Sequence, residues 1–214
     1  MIGIYYIATG SYKVYLDGFI KSLKNFRIGR DKEIILLTDE IIDTTRYTIP
    51  IKQHFIPDAP WPIVTLLKMW YINEHKGSYD EIYYFNANAQ VKEDIVPCGD
   101  KMLLTFHSRR QTSLDGSFFM KIVDDNPQSC SYIGYHDYDY VQAGFFGGKA
   151  EIVYKMCEEV SKWVESDLKR CIIPKWHDES YLNKWATIHK DEYQIIRAWD
   201  SISLEHNDKF IPKK

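Results

Sequence analysis

The chain opens on a near-continuous apolar run, Ile2 to Thr9, which stops at Thr9-Gly10-Ser11 and gives way to Tyr15, Phe19, Leu23 and Phe26 at helical spacing. A strand buried on both faces reads as an unbroken apolar run, and a glycine turn followed by an amphipathic helix is the opening unit of a Rossmann-like α/β fold. The run is too short to span a membrane and has no basic leader, so it is a buried first strand and not a targeting segment. Glu33 to Thr38 reads as a second strand and Thr48 to Ile56 as a third, with Pro50 near its start. Pro57, Pro60 and Pro62 around Trp61 break regular structure, and Val64 to His75 is a helix expected to bury Leu67, Trp70 and Tyr71. Ile82 to Phe85 and Met102 to Phe106 are further strands. Tyr140 to Gly148 is a strand interrupted by small residues; Ala150 to Val164 is an amphipathic helix, and Trp185 to His189 ends another. This alternation predicts an α/β fold, with a mainly parallel sheet covered by helices on both faces.

The remaining bounds are on partners and compartment. At 214 residues the chain suits one domain, and its formal charge of −3 argues against a general nucleic-acid binder. Cys98, Cys130, Cys157 and Cys171 show no metal-type pairing, which with the missing leader points to a reduced, cytoplasmic setting. Lys21, Lys24, Arg27 and Arg30 form a basic edge. It reads first as a solvated face, and it leaves peripheral contact with the inner face of a membrane open.

Chemistry is concentrated in three stretches. Trp176-His177-Asp178-Glu179-Ser180-Tyr181-Leu182-Asn183-Lys184 sets an aromatic, an imidazole and two acids at a helix start. Acids favour helix N-termini through the dipole and the unpaired N–H groups, which accounts for Asp178 but does not require the whole string. The string fits the floor of a site for a polyhydroxylated ligand, with Trp176 stacking and the acids hydrogen-bonding or reacting. Asn86-Ala87-Asn88 follows a buried strand, at the strand end where open α/β sheets bind ligands. In Gln142-Ala143-Gly144 the small side chains leave volume beside a strand. Between them, Lys101 to Asp139 has a weak pattern and is expected to carry acceptor contacts, with His107-Ser108-Arg109-Arg110 following a strand.

Ile7 to Phe26, Trp61 to Met69, Tyr84 to Val91, Tyr140 to Gly148 and Trp176 to Lys184 together resemble glycosyltransferase family 6. That family includes the ABO blood-group transferases, mammalian α-1,3-galactosyltransferase and smaller bacterial relatives. The resemblance implies a GT-A fold in one catalytic domain over 1–214, with 1–100 mainly nucleotide-binding and 101–214 mainly acceptor-binding and catalytic. It implies retaining transfer of galactose or N-acetylgalactosamine from a UDP-sugar to the 3-hydroxyl of a galactoside, often fucosylated. Carried over by position, Ile7, Ala8, Thr9 and Tyr12 hold uridine, and Lys68 stands where the animal enzymes have an arginine near the diphosphate and sugar. Gln142, Ala143 and Gly144 set donor choice, His177 and Asp178 lie on the donor side with Asp178 binding its sugar, His107 and Trp176 meet the acceptor, and Glu179 is catalytic. Asn-Ala-Asn replaces the animal Asp-x-Asp, as in the metal-independent bacterial branch, and a Tyr-Glu-Arg-Arg run is not evident around Phe119-Met120-Lys121-Ile122.

A glycosyl donor reacts through an oxocarbenium-like transition state while charge develops on the departing diphosphate. Glu179 is the group to stabilise or attack the cation, and Lys68 with the tail lysines Lys209, Lys213 and Lys214 supplies counter-charge. Neutral amides at Asn86 and Asn88 lack the anionic oxygens that Mn or Mg prefers, so no metal is expected. The rival readings are a UDP-sugar hydrolase and a non-catalytic carbohydrate-binding module.

Overall fold

A computed structural model describes residues 1–96, 100–107, 126–134, 140–196 and 202–204. Its strands are β1 (Ile2–Ile7), β2 (Lys32–Thr38), β3 (Ile51–Phe55), β4 (Glu81–Phe85), β5 (Ala89–Val91), β6 (Met102–Phe106), β7 (Val141–Lys149), β8 (Tyr193–Ile196) and β9 (Ile202–Leu204). The helices are α1 (Leu16–Ser22), entered through a 3-10 turn at Gly10–Tyr15, then α2 (Ile63–Leu66), α3 (Lys68–Glu74), α4 (Ala150–Lys169) and α5 (Asp178–Ile188). Seven strands form one sheet in the order β3-β2-β1-β4-β7-β6-β8, and β5 pairs with β9 apart from it. β1 is parallel to β2 and β4, β2 to β3, and β6 to β8, whereas β7 is antiparallel to both its neighbours. The fold is thus mixed α/β, with a mostly parallel central sheet flanked by helices.

Period-two alternation along β1 divides the core between the sheet's two faces. Ile2, Ile4, Tyr6 and Ala8 pack with Phe19, Leu23 and Phe26 of the α1 region. Tyr5 and Ile7 face the other way, into a cluster with Met69, Ile72, Val153, Tyr181 and Trp185 of α3, α4 and α5.

Several boundaries differ from the sequence reading. The single helix expected over 64–75 is two pieces meeting at Leu67, and α3 buries Lys68, Met69, Tyr71 and Ile72 while Trp70 is exposed. Tyr71 is buried as expected and Leu67 partly so, whereas Trp70 is 44% exposed. β3 starts at Ile51 and not at Thr48. Pro50 has no N–H for the ladder, although its carbonyl still accepts from the Ile34 N–H at 2.9 Å. α4 runs past Val164 to Lys169 because its buried stripe continues through a polar residue, Asp167, which an apolar count misses.

Asp167 is fully buried. Its carboxylate accepts from the Ser129 hydroxyl (2.8 Å), the Cys130 backbone N–H (2.8 Å) and the Tyr181 hydroxyl (2.8 Å), and it pairs with Arg170. Burial pushes this carboxyl up, but the bonds from Cys130, Ser129 and Tyr181 outweigh it and hold the group below its ordinary range. One ionised side chain therefore ties the segment 126–134 and α5 to the end of α4.

Candidate functional site

β1, β4 and β6 all end at one edge of the sheet, and because β7 is reversed its first residues lie at that same edge. The start of α5 also meets this edge, and together these elements enclose a cavity of about 610 Å³. Of the residues named from sequence, Ile7, Thr9, Tyr12, Lys68, Asn86, Ala87, Asn88, His107, Gln142, Ala143, Gly144, Asp178 and Glu179 line it. Alternation along β1 sends Ala8 the other way, into the core against α1. His177 does not line the cavity; its ring meets that of Trp61, which does, edge-on at 4.5 Å. Trp176 is partly buried outside the lining, with its backbone N–H donating to Ser180 Oγ at 3.1 Å. Arg109, Arg110, Lys209, Lys213 and Lys214 lie outside the described residues, as does Cys98.

Lys68 differs from the free counter-charge expected of it. It is 2% exposed, and its ammonium bonds Asp178 Oδ2 at 2.6 Å and the Ala143 carbonyl at 2.8 Å while lying 4.4 Å from the centre of the Tyr84 ring. Burial alone would lower the pKa of Lys68, but Asp178 and Tyr84 more than offset it, so the group stays charged, with its pKa above the ordinary lysine value. Among the described residues it is the only lysine or arginine lining the cavity, and its charge is already matched by Asp178.

The carbonyl that holds Lys68 is available because β7 leaves its ladder with β6. Leu104 pairs with Phe146 and Thr105 with Gln142, so Ala143, Gly144 and Phe145 are extra residues on the β7 side. Ala143 then points its carbonyl at Lys68, and the Gly144 carbonyl accepts from the Asn86 N–H at 2.9 Å. The turn after β4 is fixed further by Tyr6, whose hydroxyl donates to the Ala87 carbonyl, and by Tyr84, whose hydroxyl donates to Asn86 Oδ1 at 3.0 Å. A methyl group at Gly144 would stand 3.1 Å from Gln142 Oε1 and 3.3 Å from Asn86 Nδ2, so the glycine keeps that corner of the cavity open.

α5 begins from His177 in a left-handed conformation (φ 53°) with no side chain capping its N-terminus. Asp178 turns inward to Lys68 instead of back to the helix N–H groups, and so does not serve as the cap that its position suggests. Glu179, on the same first turn, lines the cavity with its Oε1 3.9 Å from His107 Nε2. Desolvation lowers the pKa of His177 despite the neighbouring Asp178 charge, which favours the neutral ring against Trp61. Asn183 carries α5's register to the sheet: Oδ1 accepts from the Val141 N–H at 2.9 Å and Nδ2 donates to the Val141 carbonyl at 2.8 Å. α5 and β7 are therefore joined by one amide.

Sequence reasoning assigned no site role to Trp61, Asp58 or Tyr84, which also line the cavity. Trp61, 70% exposed between prolines, carried a signal, since a large exposed aromatic held by a rigid segment suggests a ligand wall. Among the described residues no three His, Cys, Asp or Glu side chains are grouped as metal ligands.

The profile of Glycosyltransferase family 6 matches residues 113–201, a span that contains β7, α4 and α5. Over 205 residues the chain is 27% identical to the O-antigen biosynthesis glycosyltransferase WbnI of Escherichia coli, covering 89% of this chain and 83% of that protein. It is 26% identical to histo-blood group ABO system transferase 2 of Rattus norvegicus, covering 99% of this chain and 69% of the rat protein. For histo-blood group ABO system transferase 1 of the same animal the identity is 24%, over 99% of this chain and 66% of the relative. In these spans the chain is thus similar to the family 6 glycosyltransferases, among them bacterial WbnI and the ABO-type enzymes.

Proposed function

We propose that the protein, as a GT-A-type enzyme, moves N-acetylgalactosamine, ahead of galactose, from a UDP-sugar to the 3-hydroxyl of a galactoside, with retention and without a divalent metal. The observation that carries the reading is the meeting in one cavity of Glu179, the Asp178–Lys68 pair and the strand-end amides Asn86 and Asn88. The relationship to family 6 supports the coarser statement, transfer of a sugar from a UDP donor to a glycoside acceptor. Tyr12, 54% exposed at the rim, offers a face for the uracil ring, while Thr9 and the backbone around Gly10 offer polar contacts to the ribose. Asp178, already fixed by Lys68, has a second oxygen for sugar hydroxyls, and Glu179, lining the same cavity, would supply a carboxylate to the anomeric carbon's developing positive charge. A fucosylated acceptor would enter beside His107.

Release of UDP from UDP-N-acetylgalactosamine only when a galactoside is present is the supporting result. Release with water alone would make the protein a hydrolase, and UDP-sugar binding without release would leave it a binding module. Donor choice is tested at Gly144. Gly144→Ala is expected to shift kcat/KM toward UDP-galactose by about 1–3 kcal/mol, because the added methyl takes up space an N-acetyl group would use and presses on Gln142 and Asn86.

Metal independence follows from the amides. A carboxamide keeps the hydrogen-bonding shape of a carboxylate but removes the charge that holds a hard cation against a diphosphate. Transfer is therefore expected to proceed at an unchanged rate in EDTA; a rate that collapses there and returns with Mn would overturn the proposal. Since Lys68 is committed to Asp178, counter-charge for the leaving UDP falls to the tail, and a chain ending before Lys209 should bind UDP more weakly.

A further inference from the structure

Tyr84 and Asn86 lie two residues apart at the end of β4, so their side chains share the sheet face that carries the cavity. Tyr84 is 5% exposed and its ring stacks on Phe146, with centroids 5.1 Å apart. The Lys68 ammonium lies 4.4 Å from the centre of that ring, and the Tyr84 hydroxyl meets the Asn86 amide. An ammonium has three N–H bonds and no lone pair. Two of the three reach Asp178 Oδ2 (2.6 Å) and the Ala143 carbonyl (2.8 Å). The Tyr84 hydroxyl has one proton to give, and it goes to Asn86 Oδ1 at 3.0 Å. Asn86 therefore accepts through its oxygen.

We propose that Tyr84 is a positioning residue whose hydroxyl holds the Asn86 amide with its oxygen inward and its two N–H groups toward the cavity, so that Asn86 acts as a hydrogen-bond donor to an oxygen of a bound nucleotide sugar. In agreement, Asn86 Nδ2 lies 3.3 Å from the point a Gly144 methyl would occupy, on the open side of the cavity. Burial, with the nearby Asp178 charge, keeps the Tyr84 phenol protonated against the opposing influence of Lys68, so its proton stays available. The amide orientation is a property of the free protein; only the identity of the ligand rests on the UDP-sugar reading.

Two measurements on the full-length protein test the proposal. In ligand-free protein labelled with ¹⁵N, the Asn86 side-chain NH₂ protons are expected to show an NOE to the Gly144 α protons. An NOE to the Tyr84 ring instead would mean a reversed amide and would overturn the proposal. UDP titration is then compared in four proteins. Tyr84→Phe, which keeps the ring packed on Phe146, should weaken UDP binding about tenfold in the native background. In an Asn86→Ala background the same change should cost no more than about twofold, because the group it orients is gone. An equal loss in both backgrounds would show that Tyr84 acts independently of Asn86 and would also overturn it. The expected NOE in a protein that binds no UDP would leave the orientation standing and sink the nucleotide reading.

Discussion

Glu179→Gln is expected to leave the fold intact and to slow sugar transfer by about a hundred- to a thousand-fold, the loss that follows removal of one transition-state electrostatic partner. The substitution conserves volume and exchanges a carboxylate for an amide on the first turn of α5. That turn is held by contacts that do not involve the carboxylate: Asn183 bridges to both polar groups of the Val141 backbone, and Tyr181 reaches Asp167. Charge is therefore the variable that changes. Turnover under single-turnover conditions, with thermal unfolding measured in parallel, separates the chemistry from the fold. Activity within a few-fold of the native protein at equal stability would remove Glu179 from the chemistry.

Lys68→Met should destabilise the protein by about 3–5 kcal/mol, the cost typical of removing one partner of a buried ion pair. The lysine is 2% and Asp178 7% exposed, so without its partner the carboxylate is left ionised in a poorly solvated place or must take up a proton. Adding Asp178→Asn to the same chain removes the stranded charge and should recover more than half of the lost stability. It should not recover transfer, since Asp178 is proposed to hold the donor sugar. Urea unfolding midpoints at constant slope measure the first effect, and donor turnover the second. Loss of less than about 1 kcal/mol in the single variant would mean that the pair contributes little beyond its own desolvation.

The framework of strands was legible in the sequence because strands covered on both faces announce themselves as apolar runs, as Ile2 to Ile7 and Ile82 to Phe85 do. The reversed direction of β7 was not legible, since its run reads the same either way and direction is decided by pairing far along the chain. α4 was cut short at Val164 because Asp167 is buried through hydrogen bonds, which hydropathy does not count. In the site, residue types placed most of the cavity's lining, including both asparagines, Asp178 and Glu179. Their partners were hidden. That Lys68 faces Asp178 joins residues 110 positions apart, one at the start of α3 and the other at the start of α5. Tyr84 read as one more core aromatic, and its polar role appears only once its hydroxyl has neighbours.

The reversed strand also bears on the order in which the molecule can assemble. β4 and β7 start 60 positions apart, at Glu81 and Val141, yet they are immediate neighbours, and among the described residues β6 joins the sheet through β7. A growing chain can pair β1 to β4 from local connections, but until residues 141–149 arrive the edge of β4 stands open, with main-chain groups that could template pairing with another chain. The cavity wall, the ledge for Lys68 and the anchor for Asn183 all arrive with that one late segment. Its docking closes long loops at a single step, the kind of non-local contact that makes folding slow and leaves an aggregation-exposed intermediate behind it.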